Sequence, residues 1–175
     1  MSISVLAHVN PHATIEETAE VYDYAVIGPD VYVSAADIGE RVKLRAGVFV
    51  GERAVILEGA DIGSHSRIYA EAHISRHVRL GPGCFVGPKA SIGQGTFVDK
   101  NLVIGEGVRI GPGCIIGKDV EIAPGVELGQ RVRVHDGVVI KEGARIPSGS
   151  TAGVRIPSGS DVRKTKENDE RPEHL

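Results

Sequence analysis

An aliphatic side chain returns every six residues along most of this chain. The series begins Ile38, Leu44, Val50, Ile56 and runs on to Leu128, Val134, Ile140 and Ile146, nineteen members without a miss. Four residues after each member stands a second small or apolar residue, as in Val42, Val48, Ala54, Ala60, Ser66, Ala72, Val78, Cys84 and Ala90. A period of six fits neither an α-helix, at about 3.6 residues per turn, nor a coiled coil, at about 3.5. It fits a short strand whose inward residue alternates with outward neighbours, followed by a turn. Upstream, Ile15, Val21, Ile27 and Val33 keep the period but stand one residue out of phase with Ile38. A one-residue deletion or bulge is therefore expected between Val33 and Ile38.

Glycine often follows the aliphatic, as in Ile62-Gly63, Ile92-Gly93 and Ile104-Gly105. These units resemble the hexapeptide-repeat family over about residues 11–160. The resemblance implies an all-β fold, a single left-handed parallel β-helix in which three hexads make one triangular coil. Coils then pair with their neighbours, the aliphatics stack as internal ladders, and glycine serves turns where chirality opposes other residues. Both ends of such a rod present strand edges that need cover. Residues 1–10 are expected as an N-terminal cap, 11–160 as the β-helix, and 161–175 as a polar charged tail. Pro147 and Pro157 are expected to end the regular coiling. The tail holds nine charged residues in fifteen and no apolar face, the pattern of a solvated segment.

Composition narrows the picture. With 4% aromatic residues and no Trp, the core must be filled by branched aliphatics, which favour strands. A formal net charge of −3 gives no electrostatic basis for a nucleic-acid partner. No apolar run reaches the length of a membrane span, and the opening MSISVLAHVN lacks a signal-peptide pattern. A cytoplasmic location is expected. Cys84 and Cys114 occupy small-residue positions of the repeat, so both are expected as reduced core thiols rather than a disulfide.

With three hexads to a coil, residues eighteen positions apart stack at about 4.8 Å, and the residue before each inward aliphatic points outward. One outward column reads Lys43, Asp61, Arg79, Phe97, Ile115, Arg133, and the next Phe49, Arg67, Phe85, Val103, Glu121, Val139. The third reads Val55, His73, Ser91, Arg109, Glu127, Arg145. Lys43-Asp61-Arg79 and Arg109-Glu127-Arg145 alternate in sign, as close neighbours should. Phe85, Phe97, Val103 and Ile115 gather on two adjoining faces, an apolar patch of the kind that marks a protein contact. The family resemblance implies a homotrimer of parallel rods, with this patch as its interface.

The family holds acyltransferases that use a histidine as general base on a sugar hydroxyl or amine, work suited to a side chain that titrates near neutrality. Residues 8–29 and 62–74 resemble the rod domain of UDP-N-acetylglucosamine O-acyltransferases. His135, in His135-Asp136-Gly137, is the closest match to the His-Asp-Cys context of that family's base. It shares a face with Phe97 and Ile115, and a column with Asp99. His73, in the column of Arg109, is the second candidate and His77 the third. The run IPSGSTAG at 146–153 resembles the last coil of acetyl-CoA-dependent transferases, which implies Ser148, Gly149 and Gly153 beside the pantetheine arm. The implied co-substrate is acyl-CoA or acyl-carrier protein, with no tightly bound cofactor. No metal site is expected: His73 and His77 share no column, and His12 and His65 share one about 14 Å apart, far beyond ligand bonds of about 2 Å.

Two other readings stand beside acyl transfer. A non-catalytic scaffold or trimerisation rod fits the uninterrupted run of hexads, because enzymes on regular scaffolds build their sites from loops. A metalloprotein resembling gamma-class carbonic anhydrases, with three histidines drawn from two subunits, is the other.

Overall fold

The computed structural model describes residues 2–153, so the 161–175 tail and the last part of the expected helix lie outside the described residues. Within them, twenty-six two-residue strands run from Ser2–Ile3 to Thr151–Ala152 without a helix between them. They enter three parallel sheets in rotation. The first sheet runs from Ser2–Ile3 to Arg145–Ile146, the second from His8–Val9 to Thr151–Ala152, and the third from Thr14–Ile15 to Val139–Ile140. Each strand therefore pairs with the one three places on, and the chain forms the expected left-handed parallel β-helix.

Register follows the eighteen-residue coil. Val55 faces His73, His73 faces Ser91 and Ser91 faces Arg109. The departures are the three pairings that span the turn at 34–36, Glu20 with Asp37, Val26 with Lys43 and Tyr32 with Phe49, because that turn has three residues where its neighbours, such as 28–31, have four. This is the expected deletion. It falls in a turn, so Val33 and Ile38 both still point inward and are buried.

Residues 2–9, expected as a cap, carry the first two strands of the first coil: Ser2 faces Glu20 and His8 faces Val26. The end is thus covered by a coil whose inward Ile3, Val9 and Ile15 are only partly buried, while Val21, Ile27 and Val33 behind them are buried. The core is aliphatic throughout, and none of the buried side chains is aromatic. Burying each Val, Leu or Ile contributes about 1.5–3 kcal/mol. Ser66 and Thr96 are the buried polar residues. Both are satisfied: the Ser66 hydroxyl donates to the Gly81 carbonyl at 3.2 Å and accepts the Cys84 N–H at 3.1 Å, and Thr96 donates to Gly111 at 3.1 Å. Cys84 and Cys114 are free and buried, and burial pushes both thiols up.

The glycines divide into two kinds, where the repeat alone suggested one. Those at the third turn position, such as Gly95, have positive φ, the conformation in which a Cβ costs energy. Those directly after the aliphatic, such as Gly63, are needed for close approach: a Cβ there would lie 2.5 Å from the Gly81 carbonyl oxygen and the Pro82 nitrogen of the next coil. Nothing lies within 4 Å of a Cβ built on Gly95. Gly63→Ala is therefore expected to cost about 2–3 kcal/mol by overpacking against backbone, and Gly95→Ala about 1 kcal/mol from conformation alone. Denaturant unfolding of the two variants checks the order; a costlier Gly95→Ala would contradict this division.

Candidate functional site

Three corners join the sheets, and each carries a groove with glycine in its lining. The first corner joins the first sheet to the second. Gly111 and Gly129 floor a groove of 920 Å³ there, walled by Arg109, Glu127, Arg145, Pro147 and Ser148. The Glu127 carboxylate lies 3.8 Å from Arg109 and 3.4 Å from Arg145, so the expected ladder forms and leaves an excess of one positive charge. The Ser148 hydroxyl accepts the Gln130 N–H at 3.0 Å.

The second corner, between the second and third sheets, holds a groove of 370 Å³ over Gly63 and Gly81, lined by Arg45, Asp61, Ser64, Arg79, Phe97 and Asp99 among others. Lys43, Asp61 and Arg79 stack in register as expected. The ion pair is different: Arg45 donates from Nε and Nη2 to the two Asp61 oxygens, both at 2.8 Å. Two parallel charge-assisted bonds outcompete single contacts along the column.

The third corner carries a groove of 560 Å³ lined by Tyr32, Ser34, Phe49, Gly51, Glu52, Tyr69 and Ala70. The Tyr32 and Phe49 rings stack with centroids 5.4 Å apart and planes at 3°, and Phe49 and Tyr69 are tilted at 6.3 Å. The Tyr32 hydroxyl donates to Glu16, and Ser34 donates to the other Glu16 oxygen at 2.8 Å. No reading of the repeat singled out this cluster. Phe49 stood in its column, but the phase shift hid Tyr32, and Tyr69 follows Ile68 where many hexads have glycine.

The candidate histidines are spread over the rod. His135 is the first turn residue of the second corner and is exposed. Its ring packs beside Gly153, where a Cβ would lie 3.4 Å from Cδ2. Asp99 shares its column two coils, or about 10 Å, away, too far for a pair. The neighbouring Asp136 accepts the Lys118 N–H at 3.1 Å. His73 is half-buried in the first sheet between Val55 and Ser91. His77 is exposed on the first corner with φ 56°, its ring over Gly59. The structure therefore sets His77 on the same corner as Ser148 and Gly149 but four coils, about 19 Å, away from them, and places His135 beside Gly153 on another. Phe85, Phe97, Val103 and Ile115 are 36–47% exposed. Phe85 faces Val103 and Phe97 faces Ile115, so the patch straddles the second corner. Among the described residues, no three His, Cys, Asp or Glu side chains converge within one chain on a possible metal site. No helix among them is long and apolar enough to cross a membrane.

The repeat and the three-sheet stack define a parallel β-helix of six-residue units. More particularly, residues 89–122 and 113–148 match the family described as bacterial transferase hexapeptide (six repeats). The fold is similar to that of UDP-N-acetylglucosamine O-acyltransferase from Moraxella catarrhalis, with 18% identity and a TM-score of 0.60 over 87% of this chain and 67% of that one. A second UDP-N-acetylglucosamine acyltransferase structure is similar with 20% identity and a TM-score of 0.61, over 90% of this chain and 69% of that one. No curated protein matches the chain by sequence.

The Tyr32 hydroxyl, then that of Ser34, holds the Glu16 carboxyl below its usual range. A depressed folded-state pKa contributes stability that is present above the unfolded value and lost as pH falls through the folded one. Tyr32→Phe is expected to raise the Glu16 pKa, read by NMR titration of its carboxyl carbon, and to move the acid-side loss of stability to higher pH. An unchanged Glu16 pKa would exclude Tyr32 as the cause.

Proposed function

We propose that this protein is a hexapeptide-repeat acyltransferase, working in the cytoplasm as a homotrimer, that moves an acyl group from a CoA or acyl-carrier thioester to a hydroxyl or amine of a sugar-like acceptor. The observation that carries the reading is the first-corner groove. Its bare glycine floor accepts an extended chain, and Arg109 and Arg145, with one carboxylate between them, leave positive charge for phosphates. The apolar patch supports the trimer. Because Phe85, Phe97, Val103 and Ile115 straddle the second corner, rods packed about a threefold axis through it would leave the first and third corners at the mouths of the clefts between subunits.

Among the histidines, this arrangement favours His77, which stands on the groove's own corner about two coils, or 10 Å, from the level of Arg109. An arm laid along Gly129, Gly111 and Gly93 would bring its thioester toward that ring. His77 would take the acceptor proton as the acceptor oxygen or nitrogen bonds to the acyl carbon. The carbon–sulfur bond breaks and the departing thiolate recovers the proton. His73, on the strand leading into the same turn, is the alternative base; His135 would lie near the axis.

A scaffold is the second reading, favoured by turns that keep to three or four residues among the described residues, without an inserted loop.

Calorimetric titration with acetyl-CoA, longer acyl-CoAs and acyl-carrier protein separates the two. Saturable donor binding, weakened at least tenfold in an Arg109→Ser, Arg145→Ser double variant, is expected. His77→Gln should then lose about 10²–10⁴-fold in turnover while still binding donor, with His73→Gln and His135→Gln closer to wild type. No binding of any thioester to a folded trimer would leave the scaffold. In sedimentation, Phe97→Glu with Ile115→Glu should yield monomers; an unchanged mass would remove the patch as the interface.

A further inference from the structure

The third-corner groove at Tyr32, Phe49 and Tyr69 is built differently from the grooves of the first two corners. None of the buried core side chains is aromatic, yet three of the chain's seven Phe and Tyr residues stand half-buried around one groove. Tyr32, Phe49 and Tyr69 therefore do not fill the interior. Their ring positions are set in advance: Tyr32 is stacked flat on Phe49 and tied through its hydroxyl to Glu16, which Ser34 holds from the other side. Such preorganised walls lower the ordering cost of binding.

The charge is also distinctive. Glu52 is the charged side chain in the lining, and no cationic side chain lines the groove. The Glu16 carboxylate accepts from the hydroxyls of two lining residues, Tyr32 and Ser34. Arg67, next to Phe49 in the sheet, turns instead over the Phe85 ring at 5.7 Å from its centroid. Arg53 reaches Glu52 at 3.2 Å, but both side chains are more than half exposed, and a pair of that kind contributes little against a competing cation. The first two corners, by contrast, are lined by arginines.

We propose that the third-corner groove is a binding site for an organic cation, an ammonium group on a short apolar stem, with Glu52 meeting the charge and Tyr32, Phe49 and Tyr69 the apolar body. Aromatic rings attract such cations through their quadrupoles and the carboxylate adds direct charge pairing. The site does not depend on the acyl-transfer reading, since its lining charge is opposite to what a phosphate-bearing donor needs.

The test is an NMR titration of the full-length protein with 13C-labelled aromatic residues, using choline, n-butylammonium, the neutral choline isostere 3,3-dimethylbutan-1-ol, and N-acetylglucosamine. Saturable shifts of the Tyr32, Phe49 and Tyr69 signals are expected with the two cations, and binding about tenfold weaker with the neutral isostere. Glu52→Gln should weaken the cations about tenfold without moving the isostere, and Tyr69→Leu should weaken both. Equal binding of choline and its isostere, indifference to Glu52→Gln, saturation by N-acetylglucosamine alone, or no shift with any probe in a folded protein would each overturn the proposal.

Discussion

Backbone hydrogen bonding between coils, repeated every eighteen residues, governs the rest of this molecule. Val55 N–H donates to Ala72 and Leu57 N–H to Ile74, at 2.9 and 2.8 Å, and the same pairing recurs along the rod. Each strand is only two residues long, so no single pairing is worth much, and stability accumulates by stacking. The hexad is thereby held to its length. A strand that slipped by one residue would turn its aliphatic to solvent and its outward residue into the core. The one change of length, at 34–36, is tolerated because it shortens a turn and leaves the inward ladder of Val33 and Ile38 intact.

The same stacking determines where chemistry can reside. Inward positions are taken by Val, Ile, Leu, Ala and Cys, with Ser66 and Thr96 the polar exceptions, and the residue after each aliphatic sits so close to the next coil that glycine recurs there. What remains free is one outward residue per strand and the bulk of the turn. Selectivity must then come from which corner carries which residues. Arginines mark the first corner, the Arg45–Asp61 fork the second, and aromatic rings with a carboxylate the third.

Fold and register were legible in the sequence because both depend on one period that side-chain character records directly. Ile38 to Ile146 fixed the inward ladder, and the phase of Val33 against Ile38 located the short turn. The sites were less legible for a physical reason: they lie between columns rather than along them. Asp61 was placed correctly between Lys43 and Arg79, but its partner Arg45 reaches it from a corner, where side-chain length and fork geometry decide the pairing. Likewise Ser148 and His77 share a corner with nothing in their spacing to announce it. Glycine carried two messages under one letter, close approach at Gly63 and positive φ at Gly95, which composition cannot separate.

The third turn position shows how the rod trades stability for surface. Eleven non-glycine residues hold positive φ there, and eight of them fall before residue 90: Tyr24, Asp30, Arg41, Arg53, His65, Glu71, His77 and Lys89. Each costs about 1–2 kcal/mol relative to glycine, with Asn and Asp tolerating the conformation best. Beyond residue 90 glycine dominates, at Gly95, Gly107, Gly113, Gly125, Gly137, Gly143 and Gly149, leaving Asn101, Asp119 and Arg131 as exceptions. Side chains in the N-terminal half are therefore kept against a local cost, and they crowd its corners: the His65 and His77 rings lie over Gly47 and Gly59. The C-terminal corners are bare, and it is there that the largest of the described grooves opens beside Arg109 and Arg145. One half of the rod spends its turns on side chains and the other on space, a division that repeat packing alone does not require.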